Sequence, residues 1–174
     1  MNPGYLGNND VIKELCTQSI HSAERKLQTS ERSDTELLVI GVGSSITKAN
    51  EDIAALTRYL WERTAYTNAS YGFISKMTFP SVEDSFKCIL NHPSKNIIVL
   101  PLILFPGMYL KSIITKIDNI KQTTNKHIEI ASCLNSMELS GAVAYRINEV
   151  ISTKVNFAEN IPSQLQSRKL TSSC

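Results

Sequence analysis

Two stretches of this chain combine residue types that could do chemistry. Gly41-Val42-Gly43-Ser44-Ser45 offers two glycines, two hydroxyls and backbone N–H groups, a set suited to an anionic group such as a carboxylate. Leu104-Phe105-Pro106-Gly107-Met108-Tyr109 is apolar with one phenol, and Phe105, Pro106, Met108 and Tyr109 would make an apolar wall for a flat macrocycle. Each stretch also has a plainer reading. A Gly-rich turn is an ordinary strand-to-helix connection, and Phe105 and Met108 could simply pack a sheet edge. The first stretch is not a dinucleotide fingerprint, since Ile46 stands where the third glycine belongs, and it is no P-loop. Residues that favour metals lie elsewhere. His21, His92 and His127 fall in neither stretch, and none is expected to be a ligand. Cys16, Cys88, Cys133 and Cys174 show no paired spacing and read as buried or incidental thiols of a reducing compartment.

The elements that must position these stretches are legible from hydrophobic periodicity. Leu37 to Ile40 is a continuous apolar run closed by Gly41, as in a strand buried on both faces. Asn50 to Thr64 carries Ile53, Leu56 and Leu60 at helical spacing, with Asn50 as the expected N-cap. A second strand fits Ser70 to Met77. Ser81 and Asp84 stand at capping-box spacing before a helix whose stripe is Val82, Phe86 and Ile89. Asn96 to Leu100 is the clearest strand, followed by a helix from about Met108 to Gln122. His127 to Ala131 is a fourth strand, and Met137 to Ser152 a last helix. Strands alternating with helices imply parallel βαβ units with right-handed crossovers. The expected architecture is α/β, an open four-stranded parallel sheet in the flavodoxin-like order 2-1-3-4 with helices on both faces. In that order the strand direction of winding reverses between strands one and three, and ligands bind beyond the carboxyl ends of strands at such a point. An extra N-terminal helix, Asn8 to Leu27, precedes the sheet after Gly4-Tyr5-Leu6-Gly7. It is read as the end of a preceding repeat, because Ser132-Cys133-Leu134-Asn135 leads into the last helix in a similar way. The expected division is therefore 1–34 for that helical segment, 35–152 for the α/β domain and 153–174 for a flexible polar tail.

The totals narrow the function classes. The chain has 174 residues, 42% hydrophobic and 20% charged, which suits one globular domain with a real core. Eighteen basic against sixteen acidic residues, a net of +2, argue against a dedicated nucleic-acid surface. The longest apolar run, Ile97 to Pro106, is about half of what a membrane-spanning helix needs, so no membrane partner is expected. No charged segment followed by an apolar block opens the chain, and a cytoplasmic location is expected.

Four motifs in order carry a family resemblance. They are Leu37-Leu38-Val39-Ile40-Gly41-x-Gly43-Ser44-Ser45 with Ala49-Asn50, Leu56-x-Arg58-x-Leu60-Trp61-Glu62, Thr78-x-Pro80, and Val99-Leu100-Pro101-x-x-Leu104-Phe105-x-Gly107 with Lys111. Over about Thr35 to Ile151 the chain resembles the class II tetrapyrrole chelatases, the sirohydrochlorin cobaltochelatase and ferrochelatase type. The helix carrying Trp61 favours the second repeat of the long two-repeat form. The resemblance implies insertion of Co2+ or Fe2+, as substrate metal rather than resident cofactor, into a tetrapyrrole on the way to cobalamin or sirohaem. It implies one catalytic histidine between the loop glycines, a second after strand three, and an acidic residue before the proline that opens the next helix. Imidazole suits that chemistry because it binds borderline metals and accepts a proton near neutral pH.

Here the two histidine positions hold Val42 and Tyr109, and Lys76 occupies the stretch between Phe73 and Pro80, which has no acid. Valine cannot ligate a metal and a neutral phenol is a poor ligand. No catalytic residue and no metal site is therefore assigned. The expected function is the non-catalytic half of a sirohydrochlorin chelatase, partnered by a histidine-bearing half. The alternative is a pseudoenzyme, a homodimeric module binding a tetrapyrrole or small anion. Substrate contacts are expected from Gly41, Gly43, Ser44 and Ser45 toward carboxylates. Phe105, Gly107, Met108 and Tyr109 would line the ring face, with Lys111 adding positive charge.

Overall fold

The computed structural model describes residues 10–27, 32–103 and 107–132. Gly4 to Gly7, the segment Leu104-Phe105-Pro106, Cys133, Cys174, the expected helix at 137–152 and the expected tail at 153–174 lie outside the described residues.

The order of elements is α1 (Asp10–Glu24), a 3-10 turn at Arg32–Asp34, β1 (Thr35–Gly41), α2 (Thr47–Thr64), β2 (Asn68–Phe73), α3 (Val82–Leu90), β3 (Asn96–Pro101), α4 (Met108–Lys121) and β4 (His127–Ile130). The four strands form one sheet in the order β2-β1-β3-β4, and every pairing is parallel. This is the expected architecture, and the reason lies in β1. All seven of its residues are buried, which only a central strand covered by helices on both faces allows. Alternation then splits it. Leu38 and Ile40 point with Ile97, Val99 and Ile128 into a core closed by Val82, Phe86 and Ile89 of α3 and Ile113 and Ile117 of α4. Leu37, Val39, Ile98 and Leu100 face the other way, toward α1 and α2, which pack on each other and on that side of the sheet. Each fully buried Leu, Ile or Val contributes about 1.5–3 kcal/mol, so this strand is the thermodynamic centre of the fold.

The ends of elements differ in instructive ways. The second strand stops at Phe73 rather than continuing to Met77, and on its outer side Phe73 N–H bonds back to Pro80 O at 2.9 Å. Gly72 is required in that strand: a Cβ there would lie 2.6 Å from Ser85 Oγ, whose hydroxyl donates to Tyr71 O at 2.8 Å. Helix α2 begins at Thr47 and its N-cap is Ile46, not Asn50. Asn50 sits one turn inside and uses its amide on the preceding loop instead. At the other end α2 stops on Ala65 in the left-handed region, φ 55°, with its N–H bonded to Trp61 O. Ser81 caps α3 as its spacing predicts, accepting from Asp84 N at 3.1 Å.

The amino edge of the sheet is closed by a polar cluster. Glu36, 1% exposed, accepts from Ser94 Oγ and lies 2.9 Å from His92 Nδ1. Lys126 Nζ donates to the carbonyls of Ile89, His92 and Ser94 at 3.0, 2.6 and 2.7 Å, which ties the end of α3 to the start of β4. A buried carboxylate is tolerable only when so bonded.

Candidate functional site

Adjacent parallel strands send their following loops out of the same edge. Since β1 pairs with β3 in register Ile40↔Pro101, and Leu102 N–H bonds Ile40 O at 2.8 Å, the turn after β1 and the loop after β3 leave the sheet side by side. The strand order reverses between these two strands, the position where open α/β sheets hold ligands.

The turn after β1 is more firmly tied than its composition suggests. Ile74 N–H and Ser75 N–H bond the carbonyls of Gly41 and Val42 at 3.0 and 2.9 Å, knitting this turn to the loop after β2. Asn50 clamps Ser44 from both sides: its Oδ1 accepts from Ser44 N–H at 3.0 Å, and its amide donates to Ser44 O at 2.7 Å. Ser44 Oγ accepts from Ile46 N–H at 3.0 Å. Of the backbone N–H groups expected to face an anion, that of Ser44 is bonded within the protein, as is that of Ile46 just beyond the stretch. Gly43 has φ +88°, and a Cβ there would meet Ser75 Cβ and Thr78 Oγ1, each at 2.9 Å. Its smoothness serves the packing of two loops rather than an open approach for a ligand. Gly41 is buried at the end of β1, and Ser45 stands exposed.

Val42, at one family histidine position, is half-buried and packs on the core shared by α3 and α4. Tyr109, at the other, is 53% exposed on the first turn of α4 beside Met108, which is 86% exposed. Gly107 occupies the N-cap of α4, and Lys111 is exposed one turn on. Phe105 lies outside the described residues. Three further large apolar side chains project at this edge, and sequence reasoning passed over them: Ile46 (51% exposed), Met77 (86%) and Phe79 (77%). Met77 was hidden by its assignment to a strand. Once the strand ends at Phe73, Ile74 to Pro80 is a loop, and two large apolar residues in a loop are a signal worth reading. Five of the six large hydrophobics exposed among the described residues, all but Ile114, therefore stand at one edge of the sheet, on the turn after β1, the loop after β2 and the first turn of α4.

Candidate metal ligands are not gathered there. Among the described residues no group of three His, Cys, Asp or Glu is placed to hold an ion. His92 is engaged with Glu36 at the amino edge, and His127 begins β4. His21 lies on α1 with its Nε2 buried and without a hydrogen-bond partner among the described residues. Cys16 is buried, and burial pushes its thiol up to about 12. A cavity of about 630 Å3 opens beside the start of β4, lined by Lys26, Lys121, Lys126, His127 and Glu129 among others. It lies at the amino ends of the strands, whereas the exposed apolar side chains stand at the carboxyl ends, and its cations are largely engaged: Lys126 with carbonyls, Lys26 at 3.6 Å from Glu129. The exposed apolar edge, not this cavity, has the composition to take a flat ring. No helix among the described residues is long and apolar enough to cross a membrane.

Residues 36–150 match the CbiX family. A sirohydrochlorin cobaltochelatase from Priestia megaterium is 29% identical over 106 residues, which make up 61% of this chain and 34% of that protein. The chain thus spans about a third of the length of that curated relative. SirB from Bacillus subtilis, solved with Fe3+, superposes with a TM-score of 0.65 at 17% identity, over 78% of this chain and 53% of the other. A putative cobalamin biosynthesis CbiX protein from Marinobacter aquaeolei superposes with a TM-score of 0.54 at 18% identity, over 72% of this chain and 98% of the other. At such identities these two likenesses are of fold.

Proposed function

Since the chain belongs to the CbiX family, the class II tetrapyrrole chelatases, we propose that it is the half of a sirohydrochlorin chelatase that binds the macrocycle and leaves metal handling to a histidine-bearing half. Insertion of Co2+ or Fe2+ requires three things: a wall that holds the ring, ligands that strip water from the ion, and a base for the pyrrole N–H protons. The observation that carries this reading is the set of Ile46, Met77, Phe79, Met108 and Tyr109 standing in solvent at the edge where strand order reverses. Such side chains suit the first task. For the other two, Val42 faces the core and Tyr109 offers a phenol, and neither replaces an imidazole. Burying the faces of a flat ring against these residues would offset their own exposure to water.

The test is cobalt insertion into sirohydrochlorin by a histidine-bearing half, with and without this chain. Faster insertion in the mixture is expected. An unchanged rate refutes the half-enzyme assignment. Phe79→Ser together with Met108→Ser should remove the gain.

A second reading is a homodimeric module that binds a tetrapyrrole without metal chemistry. It is favoured by the packing of Val42 into the apolar core, a use of that position incompatible with a ligand. Titration with sirohydrochlorin separates the two. A shifted Soret band and quenching of Trp61, with no effect on a histidine-bearing half, support the module.

A further inference from the structure

The loop after β2 and the first turn of α4 carry the same combination with the lysine at opposite ends: Lys76-Met77-x-Phe79 and Met108-Tyr109-x-Lys111. In each, two large apolar side chains stand in solvent beside an exposed lysine. The state of these lysines sets them apart. Among the described residues Lys13, Lys26, Lys48, Lys87, Lys95 and Lys116 each approach a carboxylate within ion-pair distance. Lys126 is absorbed by backbone carbonyls. Lys76, Lys111 and Lys121 have no acidic partner among the described residues. Lys121 ends α4, where a cation complements the helix dipole. The other two flank the apolar side chains at the carboxyl edge. A surface that pairs six of its lysines, and among the described residues gives no acidic partner to the two beside its largest exposed apolar groups, is complementary to a ligand that is flat, apolar and rimmed by negative charge.

We infer that Lys76 and Lys111 recognise ionised carboxylates at the rim of the macrocycle, so that this edge selects rings by the number of carboxylates they carry. The inference rests on the reading of this edge as a ring-binding surface. It moves the anion-recognition role from the turn after β1, where the Ser44 and Ile46 N–H groups are already bonded, to side chains of the loop after β2 and the first turn of α4. Each ammonium can reach outward on a flexible stem while that stem lies along the apolar side chains beside it. The attraction is screened by salt.

The experiment measures dissociation constants by Soret titration for an octacarboxylate ring, uroporphyrin, and a dicarboxylate ring, mesoporphyrin. Both are titrated at low and high salt, against the full chain and its Lys76→Glu, Lys111→Glu and Lys121→Glu variants. Each reversal at 76 or 111 is expected to weaken uroporphyrin roughly tenfold, removing an exposed attraction and adding a repulsion of similar size. Mesoporphyrin should change much less, Lys121→Glu should change neither, and high salt should erase the difference. Equal binding of both rings, indifferent to the reversals, overturns carboxylate recognition while the ring-binding reading stands. Failure of the unaltered chain to bind either ring overturns both. Reversals that abolish association with a histidine-bearing half but leave ring binding unchanged assign the lysines to a protein interface, and also overturn the inference.

Discussion

Gly43→Ala is the perturbation whose consequence the structure specifies most closely. The added methyl has nowhere to go, since its carbon would sit 2.9 Å from both Ser75 Cβ and Thr78 Oγ1 and 3.1 Å from Thr78 Cβ. The backbone there also has φ +88°, which a side chain disfavours. The left-handed conformation costs a non-glycine residue about 1–2 kcal/mol, and forcing a methyl into a filled space costs about 1–3 kcal/mol. Together these predict a loss of about 2–5 kcal/mol, a substantial share of the roughly 5–15 kcal/mol that stabilises a typical domain. At roughly 2–4 °C per kcal/mol for a chain of this size, the melting midpoint should fall by about 4–20 °C. Trp61, the single tryptophan, reports unfolding by fluorescence. Ser75→Gly in the Gly43→Ala background removes one of the clashing atoms and should recover part of the loss, giving a coupling of about 1 kcal/mol in a double-mutant cycle. A midpoint unchanged by Gly43→Ala, or a cycle that is strictly additive, would refute the packing argument. The glycine would then be free for another purpose.

Other expected outcomes follow from the same physics. Lys126→Met leaves the Ile89, His92 and Ser94 carbonyls without their charged donor and should cost about 1–3 kcal/mol in urea unfolding. Ala65→Gly should stabilise by about 0.5–1 kcal/mol, because relief of the left-handed strain exceeds the added freedom of the unfolded chain; thermal melts check the sign. Asp34 accepts from the Lys95 backbone N–H, which with the nearby Lys95 ammonium holds its carboxyl below the ordinary carboxylate range. Its contribution is therefore present above the unfolded pKa and lost as pH falls through the lowered native one. Acid titration of stability should show less loss in that window for Asp34→Asn than for the unaltered chain. Alkylation of the native protein at mildly alkaline pH, followed by peptide mapping, should mark the exposed Cys88 and spare Cys16, whose buried thiol is held up at about 12.

Much of the architecture was written in local patterns. The apolar run at Leu37 to Ile40 demanded a central strand, the stripes of α2 and α3 demanded one buried face each, and Ser81 with Asp84 marked a helix start that forms as spaced. Periodicity is a property of neighbours in sequence, so a single chain displays it. The absence of imidazole at positions 42 and 109 was likewise plain from the residues alone. Tertiary structure decided what periodicity cannot encode. Asn50 looked like a cap because caps and loop clamps use the same amide, and only the fold of the preceding turn directs it to Ser44. Gly43 looked open for a ligand because its true neighbours, Ser75 and Thr78, are more than thirty residues away in sequence and arrive only when β2 pairs with β1. The exposure of Met77 and Phe79, and the lack of an acidic partner for Lys76 among the described residues, are likewise sums over long-range contacts. Residue types dictate which faces must be buried. Which atoms remain in water at the edge of the sheet is set by the packing of every other segment around them.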